Sequence, residues 1–135
     1  MGLFARIFGI CRTPLPAAPD AWSYTDKKVS VELESVPELS QPGSAIRLEG
    51  KGLPCKIFLL HGTDGNFYAF ENKCTHMGRR LDLTADHEAI QCCSISESTY
   101  NYSGEIVSGP AKGNLKPLQL SVVRGQLSIA CCTDD

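Results

Sequence analysis

Short runs in which apolar residues alternate with polar ones follow one another along most of the chain from Lys28 onward. A period of two places successive side chains on opposite faces of an extended strand, so this pattern is typical of half-buried strands. This part of the chain lacks the period of an amphipathic helix. The pattern predicts strands at residues 29–33, 45–48, 57–60, 67–70, 90–93, 98–102, 105–107, 118–123 and 127–130.

Glycine-rich turn sequences separate several of these predicted strands. Gly62-Thr63-Asp64-Gly65-Asn66 lies between two of them, and Asp-Gly and Gly-Asn supply the positive φ that tight hairpin turns require. Arg124-Gly125 occupies the corresponding place in the last predicted hairpin. Many short strands joined by such turns predict an all-β domain, built as an antiparallel sandwich or barrel.

The first residues of the chain carry a different pattern. Apolar side chains fall on one face of a helix at Leu3, Phe4, Ile7, Phe8 and Cys11. Residues 3–11 fit a short helix that contacts a membrane surface or a partner. We favour the alternative, an extension that packs on its own domain or frays. Three prolines within residues 13–20 indicate a linker. We expect an extension and linker at 1–27, one domain at 28–130 and a tail at 131–135.

Composition narrows the function classes. A length of 135 residues suits a single domain, and a net charge of −2 gives no basic surplus for nucleic-acid binding. No apolar run approaches the roughly 18 residues of a membrane-spanning helix, so we expect no transmembrane segment. The chain has seven cysteines, and its first residues lack the features of a secretory signal. We therefore expect a reducing, cytoplasmic environment in which the cysteines are free or metal-bound.

Candidate metal ligands cluster in two predicted loops. Cys74 and His76 are separated by one residue and follow the predicted strand at 67–70, so a thiolate and an imidazole can face one metal centre. The adjacent pair Cys92 and Cys93 begins sixteen residues after His76. This spacing, between strands of a small β domain, indicates a metal site.

The sequence around these cysteines resembles the Rieske family of iron–sulfur proteins over roughly residues 28–130. The similarity rests on the Asp-Gly turn at 64–65, the motif Cys-Thr-His-Met-Gly at 74–78, and Tyr100 followed by Gly-Pro-Ala at 109–111. It implies a Rieske-like antiparallel β-sandwich with a small cluster-binding subdomain of two loops. It also implies a 2Fe–2S cluster as cofactor, which Rieske proteins bind through two cysteines on one iron and two histidines on the other.

The second ligand loop departs from the family pattern. Alignment back from Tyr100 places Cys93 at the second ligand cysteine, whereas Ser96 replaces the second histidine. A register shifted by one residue makes Cys92 the ligand and still supplies no histidine. The metal ligands implied are thus Cys74, His76 and Cys93, with the fourth position filled by Ser96 oxygen, Cys92 sulfur, water or nothing. His87 is a further substitute if its loop folds back.

Other residues match family positions around the cluster. Ser98 and Tyr100 correspond to hydroxyl groups that donate hydrogen bonds to sulfur and raise the reduction potential. The alternative is that both side chains only pack. Met77 lies in the first ligand loop, while Gly109 and Pro110 lie in a loop that shields the cluster in the family.

These features favour an electron-transfer protein that carries an atypical Rieske-like cluster and delivers electrons to a redox protein partner, rather than an enzyme. The first alternative is a cluster-free binding or structural subunit with the same fold. The second is a site for a single ion such as zinc. Retention of Cys74, His76 and Cys93 favours the carrier, whereas the changes at residues 94, 96 and 97 favour the cluster-free subunit.

Overall fold

The structure is a computed structural model that describes residues 13–73, 80–92, 98–109 and 113–130. Three short 3-10 helices occupy Pro19–Ala21, Leu33–Ser35 and Pro37–Leu39. The strands are β1 Trp22–Thr25, β2 Lys28–Glu32, β3 Ser44–Leu48, β4 Ile57–His61, β5 Phe67–Glu71, β6 Leu81–Leu83, β7 Ile90–Cys92, β8 Thr99–Tyr100, β9 Ile106–Ser108, β10 Pro117–Leu118, β11 Leu120–Val123 and β12 Gln126–Ala130.

The strands form three antiparallel sheets of four strands each. Sheet A has the order β1-β2-β12-β11, sheet B the order β10-β5-β4-β3, and sheet C the order β6-β7-β8-β9. Antiparallel pairing holds for every strand pair in these sheets. The predicted all-β fold is therefore confirmed.

Sheet B lies between two hydrophobic cores, because strand β4 buries both of its faces. Ile57 and Leu59 pack in the first core with residues of sheet A such as Val29. Their neighbours Phe58 and Leu60 point the opposite way, as alternate residues of a strand must, and pack in the second core with residues of sheet C. The sequence of a strand that is covered on both faces is a continuous apolar run, as it is at residues 57–60.

The hydrophobic pattern missed two strands. Strand β1 pairs with β2 from Trp22↔Val31 to Thr25↔Lys28, but its sequence directly follows the proline-rich segment 13–20. Strand β6 has only three residues, and its central one is the buried Asp82. That side chain accepts hydrogen bonds from the Thr13 hydroxyl at 2.5 Å and from the Leu83 N–H at 2.9 Å.

The segment before β1, predicted to be a linker, makes contacts with the domain. Thr13 is buried, the Pro14 carbonyl accepts from the Arg47 N–H at 2.9 Å, and the Ala17 N–H donates to Glu38 at 2.6 Å. Proline content predicts an extended backbone, and an extended backbone can pack along a domain as well as connect two. The division of the chain at residues 28 and 130 stays a prediction.

One cysteine corrects the expectation about oxidation state. Cys55 lies two residues before β4, packs partly buried against the first core, and is disulfide-bonded. Cysteine spacing along a sequence does not show which residues approach each other in the fold, so this bond could not be predicted from it. Among the described residues, the structure has no helix long and apolar enough to cross a membrane.

Candidate functional site

Three chain segments leave sheet C at one end, which we call the loop end. Strand β6 begins at Leu81 and β7 ends at Cys92, and these two residues are direct partners in the antiparallel register. On the other side of the sheet, β8 begins at Thr99 and its partner Ser108 ends β9. The chain segments next to these residues in sequence are 74–79, 93–97 and 110–112, which lie outside the described ranges.

An asparagine side chain connects the chain before the first segment to the chain after it. Asn72 Oδ1 accepts a hydrogen bond from the Leu81 N–H at 2.7 Å, which joins the chain before the segment to the strand after it. The Asn72 N–H donates to the Lys56 carbonyl at 2.8 Å, so the same residue is fixed to the chain before β4. Both ends of the first segment are thus held on the scaffold.

An ion pair holds the residue that follows this segment. Arg80 Nε lies 2.6 Å from Glu49 Oε2 and Arg80 Nη2 lies 3.1 Å from Oε1, a two-pronged contact, while Arg47 Nη1 lies 3.2 Å from Oε1. The Arg80 hydrogen bond holds the pKa of the Glu49 carboxyl below its usual 4.5; burial acts in the opposite direction, and the charges of Arg80 and Arg47 lower the pKa further. The pair connects Arg80 to the residue that follows β3.

A backbone hydrogen bond connects the residues on the two sides of the second segment. The Cys92 N–H donates to the Ser98 carbonyl at 2.9 Å, across segment 93–97. Ser98 is completely buried, and Gly109 packs on it with a φ of +100°. A Cβ at Gly109 would lie 2.5 Å from Ser98 Cα, so this close approach requires glycine.

Two of the predicted site residues are part of the second core. Tyr100 is fully buried on β8, where it pairs with Ile90 and Ile106. Cys92 is 1% exposed and, like Ile90 two residues earlier on β7, contributes to that core. The Cys92 side chain therefore packs among apolar neighbours.

The sheet topology shows that His87 cannot substitute for the missing histidine. His87 lies in the β6–β7 turn, closed by a hydrogen bond from the Thr84 N–H to the Ala89 carbonyl, and this turn is at the end of sheet C opposite the loop end. There His87 lines a groove of about 540 Å³ together with Thr13 and Asp82. The suggestion that His87 replaces the lost ligand is therefore wrong.

Several predicted site residues lie outside the described part of the chain, and their roles stay predictions. Among the residues that the structure describes, no group of three or more histidine, cysteine or acidic side chains is placed to hold a metal ion. The predicted site residues outside the described ranges are Cys74, His76, Met77, Cys93, Ser96 and Pro110. The predicted residues within those ranges are Cys92, Ser98, Tyr100 and Gly109, and all four belong to sheet C or directly adjoin it.

Described residues beside the loop end fit a cluster with sulfur ligands. Asn72 is 3% exposed, and its Nδ2 donor is buried without a hydrogen-bond partner two residues before Cys74. Such a donor suits an acceptor supplied by a bound group, and thiolate and sulfide are acceptors. The sequence also supplies the thiolate and imidazole donors that iron requires.

Sequence reasoning missed Asn72 and the Glu49–Arg80 pair. Asn72 offered one signal, its position two residues before Cys74. Glu49 offered none, because it lies thirty-one residues before Arg80 and only the fold brings the two together.

Comparisons with known proteins give the family. Residues 30–120, more than half of the chain, match the family described as Rieske [2Fe-2S] domain. No curated protein sequence matches the chain significantly.

Solved Rieske structures resemble the fold. The ferredoxin of carbazole 1,9a-dioxygenase from Nocardioides aromaticivorans IC177 is 17% identical, covers 76% of this chain and 94% of its own, and has a TM-score of 0.59. A chain in the complex of reduced oxygenase and oxidised ferredoxin in carbazole 1,9a-dioxygenase is 28% identical, with coverages of 67% and 91% and a TM-score of 0.57.

A larger enzyme also matches. The quaternary ammonium Rieske monooxygenase CntA in complex with L-carnitine is 22% identical over 73% of this chain, with a TM-score of 0.57, and the match spans only 30% of that enzyme. The present chain therefore corresponds to less than a third of the monooxygenase. Its family match and its three-sheet fold together show that the chain belongs to the Rieske family of 2Fe–2S domains.

Proposed function

We propose that this protein is a one-electron carrier whose 2Fe–2S cluster is held at the loop end of sheet C by Cys74, His76 and Cys93, with an atypical fourth ligand. The direct pairing of Leu81 with Cys92 carries the proposal. Directly paired residues of antiparallel strands have Cα atoms about 4.5–5.5 Å apart. The segments bearing Cys74 and His76 on one side and Cys93 on the other therefore join the scaffold at neighbouring points.

The packing of Cys92 supports Cys93 as the second cysteine ligand. Cys92 is buried with Ile90 in the second core, and moving its sulfur to a metal would remove an apolar contact from that core. Side chains alternate along a strand, so the residue after Cys92 is directed to the other face if the extended backbone continues. Ser96 is then the candidate for the position that a second histidine occupies in the family.

The ligand set determines the chemistry that a bound cluster supplies. A 2Fe–2S cluster accepts and releases single electrons, and histidine ligands in place of thiolates raise its reduction potential. With His76 as the one imidazole, we expect a potential below that of a two-histidine centre. Ser98 and Tyr100, both fully buried beside the loop end, are the proposed hydroxyl donors that act in the opposite direction.

The proposed partner is a redox protein that docks at the loop end. A carrier has to bring its cluster near the surface of the partner, and the loop end is where the ligand-bearing segments leave the scaffold. The carbazole dioxygenase ferredoxin, similar in fold to this chain, is described in a complex with its oxygenase.

The two adjacent cysteines provide a matched test of the ligand assignment. We expect both Cys93→Ser and Cys74→Ser to lose most of the iron and sulfide of the anaerobically purified protein. Cys92→Ser should keep the cluster and its visible spectrum while destabilising the fold, because it places a hydroxyl in the second core. Iron retained in Cys93→Ser and lost in Cys92→Ser would reverse the assignment.

A gain of ligand tests the fourth position. Ser96→His should produce the absorption and electron paramagnetic resonance spectra of a two-histidine cluster, with a higher potential than the parent protein. Spectra and potential unchanged by this substitution would show that residue 96 does not face the iron.

A further inference from the structure

Of the two polar side-chain atoms of Asn72, one has a hydrogen-bond partner and the other has none. Its Oδ1 accepts from the Leu81 N–H at 2.7 Å, whereas its Nδ2 is buried and donates to no partner. Among the described residues, only one other buried side-chain atom lacks a partner, Glu38 Oε1, and that atom is an acceptor. Asn72 Nδ2 is therefore the one buried side-chain donor of the described residues that is left unsatisfied.

An unsatisfied buried donor costs free energy, because it has given up water without gaining a protein acceptor. Folded proteins leave few such groups, and those they keep often serve a bound species. Rotating the side-chain amide by 180° would lose the hydrogen bond to Leu81, because Nδ2 and the Leu81 N–H are both donors. The hydrogen bond to Leu81 thus fixes which end of the amide is used by the scaffold.

The surroundings of Asn72 indicate what it serves. The residue lies two positions before Cys74, and its partner Leu81 is paired with Cys92, which immediately precedes Cys93. Asn72 is thus fixed to the first residue of β6 at the loop end, beside the chain that leads into the first proposed ligand. The negatively charged acceptors expected there are cysteine thiolates and the sulfides of a cluster.

We propose that the Asn72 side-chain N–H donates a hydrogen bond to a sulfur of the iron–sulfur site, either the Cys74 thiolate or a cluster sulfide. This inference rests on the proposed function. Asn72 is a positioning residue, because its Oδ1 joins the chain before the first segment to Leu81 after it. Its N–H group also stabilises negative charge on sulfur. Donors of this kind favour the reduced, more negative cluster and so raise its potential.

The test is pulsed electron paramagnetic resonance on the reduced, intact protein carrying asparagine labelled with nitrogen-15 at the side-chain amide. A nitrogen hydrogen-bonded to the cluster or to a ligand sulfur has a hyperfine coupling to the unpaired electron, which a merely structural asparagine farther away lacks. We expect one such coupling in the parent protein, absent from Asn72→Leu and from Asn72→Asp. Asn72→Asp keeps an oxygen to accept from Leu81, so it is the second variant if Asn72→Leu does not fold.

Asn101→Asp is the matched control. Asn101 also accepts backbone N–H groups through Oδ1, from Ser103 at 2.9 Å and Glu105 at 3.0 Å, but its Nδ2 has a partner in the Glu105 carboxylate at 3.1 Å. The control should keep the coupling and the potential of the parent. Asn72→Leu should lower the potential and lose iron to a chelator about tenfold faster, the lower limit for loss of an outer hydrogen-bond partner.

The outcomes separate this inference from the proposed function. A parent protein that takes up no iron and sulfide overturns both. A parent that holds the cluster but shows no asparagine coupling overturns the role of Asn72 alone. So does an Asn72→Leu variant with unchanged potential and unchanged rate of iron loss.

Discussion

Replacement of Gly109 by alanine tests how the third segment of the loop end is fixed. Gly109 has a φ of +100°, and a Cβ there would lie 2.5 Å from Ser98 Cα and 2.9 Å from Ser98 Oγ. Ser98 cannot easily move away, because it is completely buried and its carbonyl accepts from the Cys92 N–H. The substitution therefore combines backbone strain with a collision against a fixed neighbour.

The two effects can be given magnitudes. A left-handed conformation costs a residue with a Cβ about 1–2 kcal/mol relative to glycine. Carbon atoms prefer separations of about 3.5–4.0 Å, so the collision requires a shift of about 1 Å, and overpacking of this kind costs about 1–3 kcal/mol. We expect Gly109→Ala to destabilise the protein by about 2–5 kcal/mol, a large fraction of the 5–15 kcal/mol typical of a domain.

Gly125→Ala is the matched control, because it isolates the strain. Gly125 has a φ of +80° in the β11–β12 turn, and a Cβ there meets nothing within 4 Å. Its substitution should cost only the conformational part, about 1–2 kcal/mol. The assay is urea unfolding of anaerobically purified protein, where the slope is about 1–3 kcal/mol per molar urea. Equal losses in the two variants would refute the packing of Gly109 on Ser98.

Two further predictions follow from the charges and the cysteines. Because Arg80 lowers the pKa of Glu49 in the folded protein, Glu49 contributes stability above its ordinary pKa of 4.5 and loses it as the pH falls through the lower, folded value. Glu49→Gln should therefore lose less stability than the parent on acidification below about pH 4.5, as measured by urea unfolding at several pH values; parallel curves would contradict the ion pair. Cys55 should react with an alkylating reagent under denaturing conditions only after reduction, because it is disulfide-bonded; mass spectrometry that finds it alkylated without reductant would contradict the bond.

The sequence predicted those parts of the fold that follow from local pattern. Most of the strands from β2 to β12 were predicted from the alternation of apolar and polar residues. The hairpin turns at Asp64-Gly65 and Arg124-Gly125 were predicted from residues that tolerate positive φ. Strand β1 was missed because its context was proline-rich, and β6 because a three-residue strand around a buried aspartate has no apolar period. Tertiary hydrogen bonds, such as that from Thr13 to Asp82, decide such segments.

The sequence indicated the candidate metal ligands, but not the residues that hold the ligand-bearing segments in place. Cys74 and His76 were proposed from residue type and spacing and Cys93 from the resemblance to the Rieske family, and all three stay predictions. The core position of Cys92 required the register of β7, and exclusion of His87 required knowing which end of sheet C its turn occupies. Asn72, Glu49 and Arg80 act through contacts that only the folded chain creates.

The central claim is that the loop end of sheet C holds a 2Fe–2S cluster. Its most direct test is quantitative iron and acid-labile sulfide analysis of the protein purified or reconstituted without oxygen, together with its visible spectrum. Our account predicts about two irons and two sulfides per chain, as a 2Fe–2S cluster requires. Zinc alone, or no metal at all after reconstitution, would contradict it.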